Sequence, residues 1–163
     1  MPSSDSDTCA IFADAFSAHQ NGDLRSASKL YSLVLKSNPR HSDSLHLLGL
    51  INQQSGNHIE AKKLILRAIK SNSNNSLYHN NLGLVFFSLD DFKNAIKSYK
   101  KAIEISPNYT QAMFGLANIH LKINNTHSAI VLYNKIIKIE PNFYDAYKNL
   151  GNAYTKEGKY NKA

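Results

Sequence analysis

The sequence predicts an all-α solenoid of antiparallel helix pairs, and three observations carry that reading. The 163-residue chain repeats itself at a spacing of 34, and a fixed period of this size marks an array of supersecondary units. Residue types that cap and terminate helices fall at the same place in successive periods. The composition is also helical: 4 prolines and 7 glycines accompany 42% hydrophobic and 19% charged residues. That is enough apolar material for a core and too few turn formers for a sandwich of strands.

Each element follows from the register. Ala27, Ala61, Ala95, Ala129 and Ala163 are 34 apart, as are Ala15, Gly49, Gly83, Ala117 and Gly151. Small residues recur where two helices approach closely, and large ones (Leu48, Leu82, Leu116 and Leu150, then Tyr31, Ile65, Tyr99 and Tyr133) are the knobs that fill such holes. Thr8, Ser42, Ser76 and Thr110 stand where a first helix of each pair would start, so they are the expected N-caps. Gly22, Gly56, Asp90, Asn124 and Gly158 follow about 14 residues later, and these types most easily enter the left-handed conformation that ends a helix. Asp23, Asn57, Asp91 and Asn125 come next and are expected to cap the second helix. Pro39, Pro107 and Pro141 close three units, and Ser73 takes the place of the proline in the repeat 42–75. The expected organisation is a disordered segment 1–7 and an array over 8–163, with repeats 8–41, 42–75, 76–109 and 110–143 and a partial fifth, 144–163.

Leu82-Gly83, Phe86, Ala95, Tyr99, Ala102 and Pro107 carry a signature that resembles the tetratricopeptide repeat (TPR), and the resemblance extends over residues 8–163. It implies a right-handed superhelical solenoid in which first helices line a concave groove. That register places His46, Gln53, Asn80, Asn81, Leu84, Gln111, Phe114, Asn118, Lys148, Asn149 and Asn152 on the groove as candidate peptide-binding residues. Amides both donate and accept, so they can hold a peptide backbone whatever its side chains. Asn81-Leu82-Gly83 and Asn149-Leu150-Gly151-Asn152 are similar to the asparagine ladder of O-linked N-acetylglucosamine transferases, although Ala13, Leu47 and Gly115 take the same place in the other repeats. The segments Ala18–Asp23 and Ser44–Gly49 also resemble N-terminal repeats of bacterial proteins that carry such a transferase. Lys148 and Asn152 match part of the carboxylate clamp of chaperone-binding repeats, but Phe12, Phe16 and Leu47 do not fit it.

No constellation points to catalysis or a cofactor. Seven histidines are scattered without metal-ligand spacing, and no phosphate-cradling glycine motif occurs. Cys9 and the serines lack a neighbouring base and orienting acid. The net charge of +7 raises nucleic acid as a partner, but the register puts only Lys122, Lys148 and Lys156 on the groove. Most other basic residues, such as Lys62, Lys63, Arg67, Lys93, Lys97, Lys100 and Lys101, fall on second helices as a solvated convex face, which speaks against a nucleic-acid groove.

A single cysteine, no secretory signal and no stretch of roughly 20 apolar residues set the expectation of a cytoplasmic protein without a membrane span. The expected function is a protein-interaction scaffold that binds a peptide segment of a partner. The alternative is the N-terminal substrate-recognition arm of a larger bacterial glycosyltransferase, or other transferase, whose catalytic domain is absent from this chain. Tyr147, Leu150 and Tyr154, in the incomplete fifth repeat, add an expectation of self-association through the C-terminal end.

Overall fold

The computed structural model describes residues 5–158. Among them are α1 (Asp5–Gln20), α2 (Leu24–Ser37), α3 (Ser42–Gln54), α4 (His58–Ser71), α5 (Ser76–Ser88), α6 (Phe92–Ile105), α7 (Thr110–Lys122), α8 (Thr126–Ile139) and α9 (Tyr144–Lys156). The chain divides into two compact units, Met1–Asn81 and Leu82–Ala163, with the boundary inside α5. The second helix expected for the fifth repeat, with Ala163, falls outside the described residues.

The turn within each pair is built by one residue of left-handed backbone. Gly22, Gly56 and Gly158 have φ of 78°, 79° and 75°, and Asp90 and Asn124 have φ of 55° and 62°. The amide of this residue and that of the next both return to the helix just ended. After α5, the Asp91 N–H reaches the Phe86 carbonyl at 2.9 Å and the Asp90 N–H reaches the Phe87 carbonyl at 3.0 Å. These bonds satisfy carbonyls that the helix end leaves open.

Capping of the second helices follows the expectation in three of four turns. The side chains of Asp23, Asp91 and Asn125 accept from the backbone N–H of Ser26, Asn94 and Ser128, whereas Asn57 occupies the cap position without such a bond. The first helices depart from it. Their caps lie one residue earlier: the His41 ring accepts from the Ser44 N–H, and the Asn75 carboxamide accepts from the Leu77 N–H at 3.0 Å. Tyr109, the cap residue of α7, makes no side-chain cap bond. Ser42, Ser76 and Thr110 are thus first helical residues. Thr8 lies inside α1, which begins at Asp5, so residues 5–7 of the segment expected to be disordered are helical.

In the unit Met1–Asn81, α2 packs on α1 and α3, and α4 packs on α3. Ala15, Ala27, Tyr31 and Ile51 form one buried cluster, and Leu45, Leu64, Ala68 and Tyr78 form another. A Cβ at Gly49 would come within 2.8 Å of Ile65 Cγ1, so the glycine is the hole and Ile65 the knob.

In the unit Leu82–Ala163, α7 packs against α6, α8 and α9. Ala112, Met113, Leu116, Ala117 and Ile119 of α7 are buried accordingly. α8 buries the stripe Ala129, Ile130, Tyr133 and Ile136, with Leu132 and Ile137 packed partly buried beside it, as expected of a helix with one face in solvent. Tyr99 is the knob here. A Cβ at Gly83 would lie 2.8 Å from Tyr99 Cδ1, so Gly83 faces Tyr99, with Ala95 fully buried in the same cluster. At Gly151 the same test meets nothing within 4 Å. Leu150 and Tyr154 pack against the α7–α8 core cluster, whereas Tyr144 is 78% exposed and Tyr147 is 46% exposed.

Candidate functional site

The candidate residues separate by unit. In Met1–Asn81, His46 and Asn81, both expected on the groove as peptide-binding residues, are buried. Asn81 Nδ2 is 2.8 Å from His46 Nε2, and Asn81 Oδ1 accepts from Asn80 Nδ2 at 3.0 Å. Both polar atoms of the Asn81 side chain are thereby engaged within the chain. The His46 ring stacks on Tyr78 at 4.6 Å between centroids, and the Tyr78 hydroxyl donates to Asp43 Oδ1. Burial pulls the His46 pKa down to about 4, against the opposing pull of Asp43, so the ring is neutral and fit for this packing. Gln53 is half-buried, and its Oε1 lies 2.7 Å from His58 Nδ1.

In Leu82–Ala163 the amides form a more open arrangement. Asn118 of α7 accepts at Oδ1 from the Tyr133 hydroxyl of α8 at 2.6 Å and from Asn149 Nδ2 of α9 at 2.9 Å. Three helices thus hold one carboxamide in a fixed orientation. Tyr133 reaches it from the core, where burial pushes its pKa up to about 12, so the phenol remains a donor at neutral pH. Asn118 Nδ2 and Asn149 Oδ1 lie outside these two bonds, leaving one donor and one acceptor on neighbouring half-buried residues. Gln111, Lys148 and Asn152 are exposed.

Two apolar candidates differ in character. Leu84 is 40% exposed, while Phe114 is half-buried against Tyr133 and Phe143, with centroids at 6.0 Å and 5.1 Å. Of the other groove lysines, Lys156 Nζ donates to the Leu121 carbonyl at 3.1 Å. Lys122 Nζ pairs with Asp90 at 3.3 Å and lies 4.8 Å from the centre of the Phe92 ring. Tyr133 was legible in the sequence as a core knob only; its role in orienting Asn118 depends on where its hydroxyl emerges.

No group of three or more His, Cys, Asp or Glu among the described residues could hold a metal ion. No helix among them is long and apolar enough to cross a membrane.

Comparison with known proteins agrees with this architecture. Tetratricopeptide repeat family models match residues 42–75 and 110–143, 76–109, and 132–163. The chain belongs to the tetratricopeptide repeat family, and its fold is the all-α solenoid of that family. No curated protein sequence matches it significantly. Among solved structures it is similar to MamA, with 25% identity and a TM-score of 0.85 over 95% of this chain and 85% of that one. It is also similar to an O-GlcNAc transferase from Thermobaculum terrenum, with 28% identity and a TM-score of 0.78 over 85% of this chain but 27% of that one. YrrB, a TPR protein described as having an unusual peptide-binding site, shares the fold at 20% identity and a TM-score of 0.77, over 91% of this chain and 77% of that one. Repeats of this family generally serve as non-catalytic scaffolds, and the likeness supports a protein-interaction scaffold here.

Proposed function

We propose that the chain takes an extended peptide segment of a protein partner on the first-helix face of the unit Leu82–Ala163. The observation that supports this reading is the fixed Asn118 carboxamide. Its Oδ1 is held by Tyr133 and Asn149, so Asn118 Nδ2 and Asn149 Oδ1 are pre-oriented as a donor and acceptor pair. A peptide unit offers the complementary C=O and N–H, and holding the carboxamide before binding reduces the entropy lost on association. Exposed Gln111 and Asn152 extend the same chemistry to either side. Asn81 and His46 are left out of the contact set because both are buried, Asn81 Nδ2 faces His46 Nε2 and Asn81 Oδ1 accepts from Asn80.

The test uses a peptide selected from a random library against the intact chain, with binding read by fluorescence anisotropy. Gln111→Ala with Asn152→Ala removes amides without touching the Tyr133 bond, and each lost neutral hydrogen bond should cost about 0.5–1.5 kcal/mol of affinity. Unchanged binding in that variant, together with steep loss on adding salt, would replace the amide reading with a charge-driven one.

A second reading, the recognition arm of a larger transferase, rests on the likeness to the Thermobaculum terrenum enzyme, of which this chain spans 27%. The coding sequence downstream of Ala163 decides it, since a transferase domain there supports the arm and its absence removes it.

A further inference from the structure

In the unit Met1–Asn81, a cleft of about 580 Å³ is lined by Pro39, Arg40, Leu45, Arg67, Lys70 and Ser71. The lining brings together the connection after α2, the first turn of α3 and the last turn of α4. Three of the six residues are cationic and none is a carboxylate. None of the three is in an ion pair among the described residues, where the pairs are Lys63–Glu60, Lys101–Glu104 and Lys122–Asp90. One guanidinium is positioned: Arg67 donates from a terminal nitrogen to the Pro39 carbonyl at 3.1 Å, which leaves its other donors for a ligand.

Helix ends do not account for this charge. Each end carries roughly half an elementary charge, and the negative end of α2 lies beside the positive end of α3, so those two offset each other. The C-terminus of α4 then contributes roughly half a negative charge against three full positive ones. A carboxylate, with a single charge, would leave most of that field unanswered. A phosphate monoester carries close to two negative charges and three acceptor oxygens, and it suits two guanidinium forks and an ammonium. The buried Leu45 side chain and exposed Pro39 line the cleft beside the three exposed cations.

We propose that this cleft is a phosphate-monoester site formed by Arg40, Arg67 and Lys70, with the Ser71 hydroxyl as a further donor. It is independent of the amide face, since the two share no residue. Inorganic phosphate should shift the backbone NMR resonances of Arg40, Leu45, Lys70 and Ser71 in the intact chain in a saturable way. Arg40 and Lys70 are exposed, so Arg40→Gln with Lys70→Gln should fold normally and weaken binding at least tenfold. Replacing Lys97, Lys100 and Lys101 by Gln should leave it unchanged.

A capped Gly-phosphoserine-Gly peptide distinguishes the source of the phosphate. Tighter binding than inorganic phosphate assigns the cleft to a phosphorylated protein segment, and equal binding assigns it to free phosphates. Three results would overturn the site: no saturable shift, equal shifts with the unphosphorylated peptide or acetate, or a response that follows the Lys97, Lys100 and Lys101 changes instead.

Discussion

The ring of Tyr99 on α6 occupies the space that a side chain at Gly115 on α7 would need, with Tyr99 Cε1 2.7 Å from the position of a Cβ there. Gly83 on α5 receives the same ring from its own side. One aromatic knob therefore fills two glycine holes, and Gly115 stands where two other repeats carry Asn81 and Asn149. A side chain at 115 would meet the Tyr99 ring where it stands, so glycine fits this place in the run, while Ala13 and Leu47 interrupt the run in other repeats.

Gly115→Ala should accordingly destabilise the fold by roughly 1–3 kcal/mol through overpacking. Gly151→Ala is the matched control. A Cβ there meets nothing within 4 Å, and alanine is the better helix former by roughly 1 kcal/mol. Urea denaturation should show the two changes moving stability in opposite directions.

Ala95 is fully buried in the cluster around Tyr99. Ala95→Leu should cost roughly 1–3 kcal/mol, while Lys100→Ala, at an exposed position, should stay within about 0.5 kcal/mol of the parent. Overlapping melting curves for the two variants would mean that the register of small residues is misplaced.

The left-handed turns offer a backbone test free of packing. Gly56 has φ of 79° and open space around its Cβ direction, so Gly56→Ala should cost roughly 1–2 kcal/mol from backbone conformation alone. Asn124, at φ of 62°, already tolerates this region, and Asn124→Gly should change stability by less than about 1 kcal/mol. Thermal melts of the pair compare them directly.

Acid should weaken the fold through its buried histidine. The His46 pKa is lowered from 6.5 to about 4 by burial, so below pH 6.5 the unfolded chain binds a proton that the folded chain refuses. The stabilisation is complete above the unfolded pKa and is lost as pH falls from 6.5 towards 4, by roughly 3 kcal/mol in all. Burial lowers the pKa values of His19 and His120 too, in the same sense. Urea titrations between pH 7 and pH 4 should show this decline, and His46→Gln should make it shallower. A decline of the same slope in that variant would contradict the assignment.

Much of the architecture was legible because each feature rests on one residue type in a fixed register. The five left-handed residues were readable in this way, as were the caps at Asp23, Asp91 and Asn125. First-helix caps were misplaced by one residue, since Ser42, Ser76 and Thr110 have a capping hydroxyl but the structure uses the preceding His41 and Asn75. The candidate site was less legible. Asn81 and Asn149 hold the same place in their repeats, yet Asn81 is spent on His46 while Asn149 turns to Asn118. That difference depends on which side chain the preceding first helix presents, His46 or Asn118, and on the Tyr133 hydroxyl that orients the latter. A 34-residue spacing carries no information about such pairings.

The side-chain amide NMR resonances of Asn118 and Asn149, followed while a library-selected peptide is titrated into the intact chain, test the central claim most directly. Both resonances should shift in step with peptide occupancy, while the engaged Asn81 amide should stay where it is. Shifts confined to Lys97, Lys100 and Lys101, with Asn118 and Asn149 unmoved at saturation, would contradict the account.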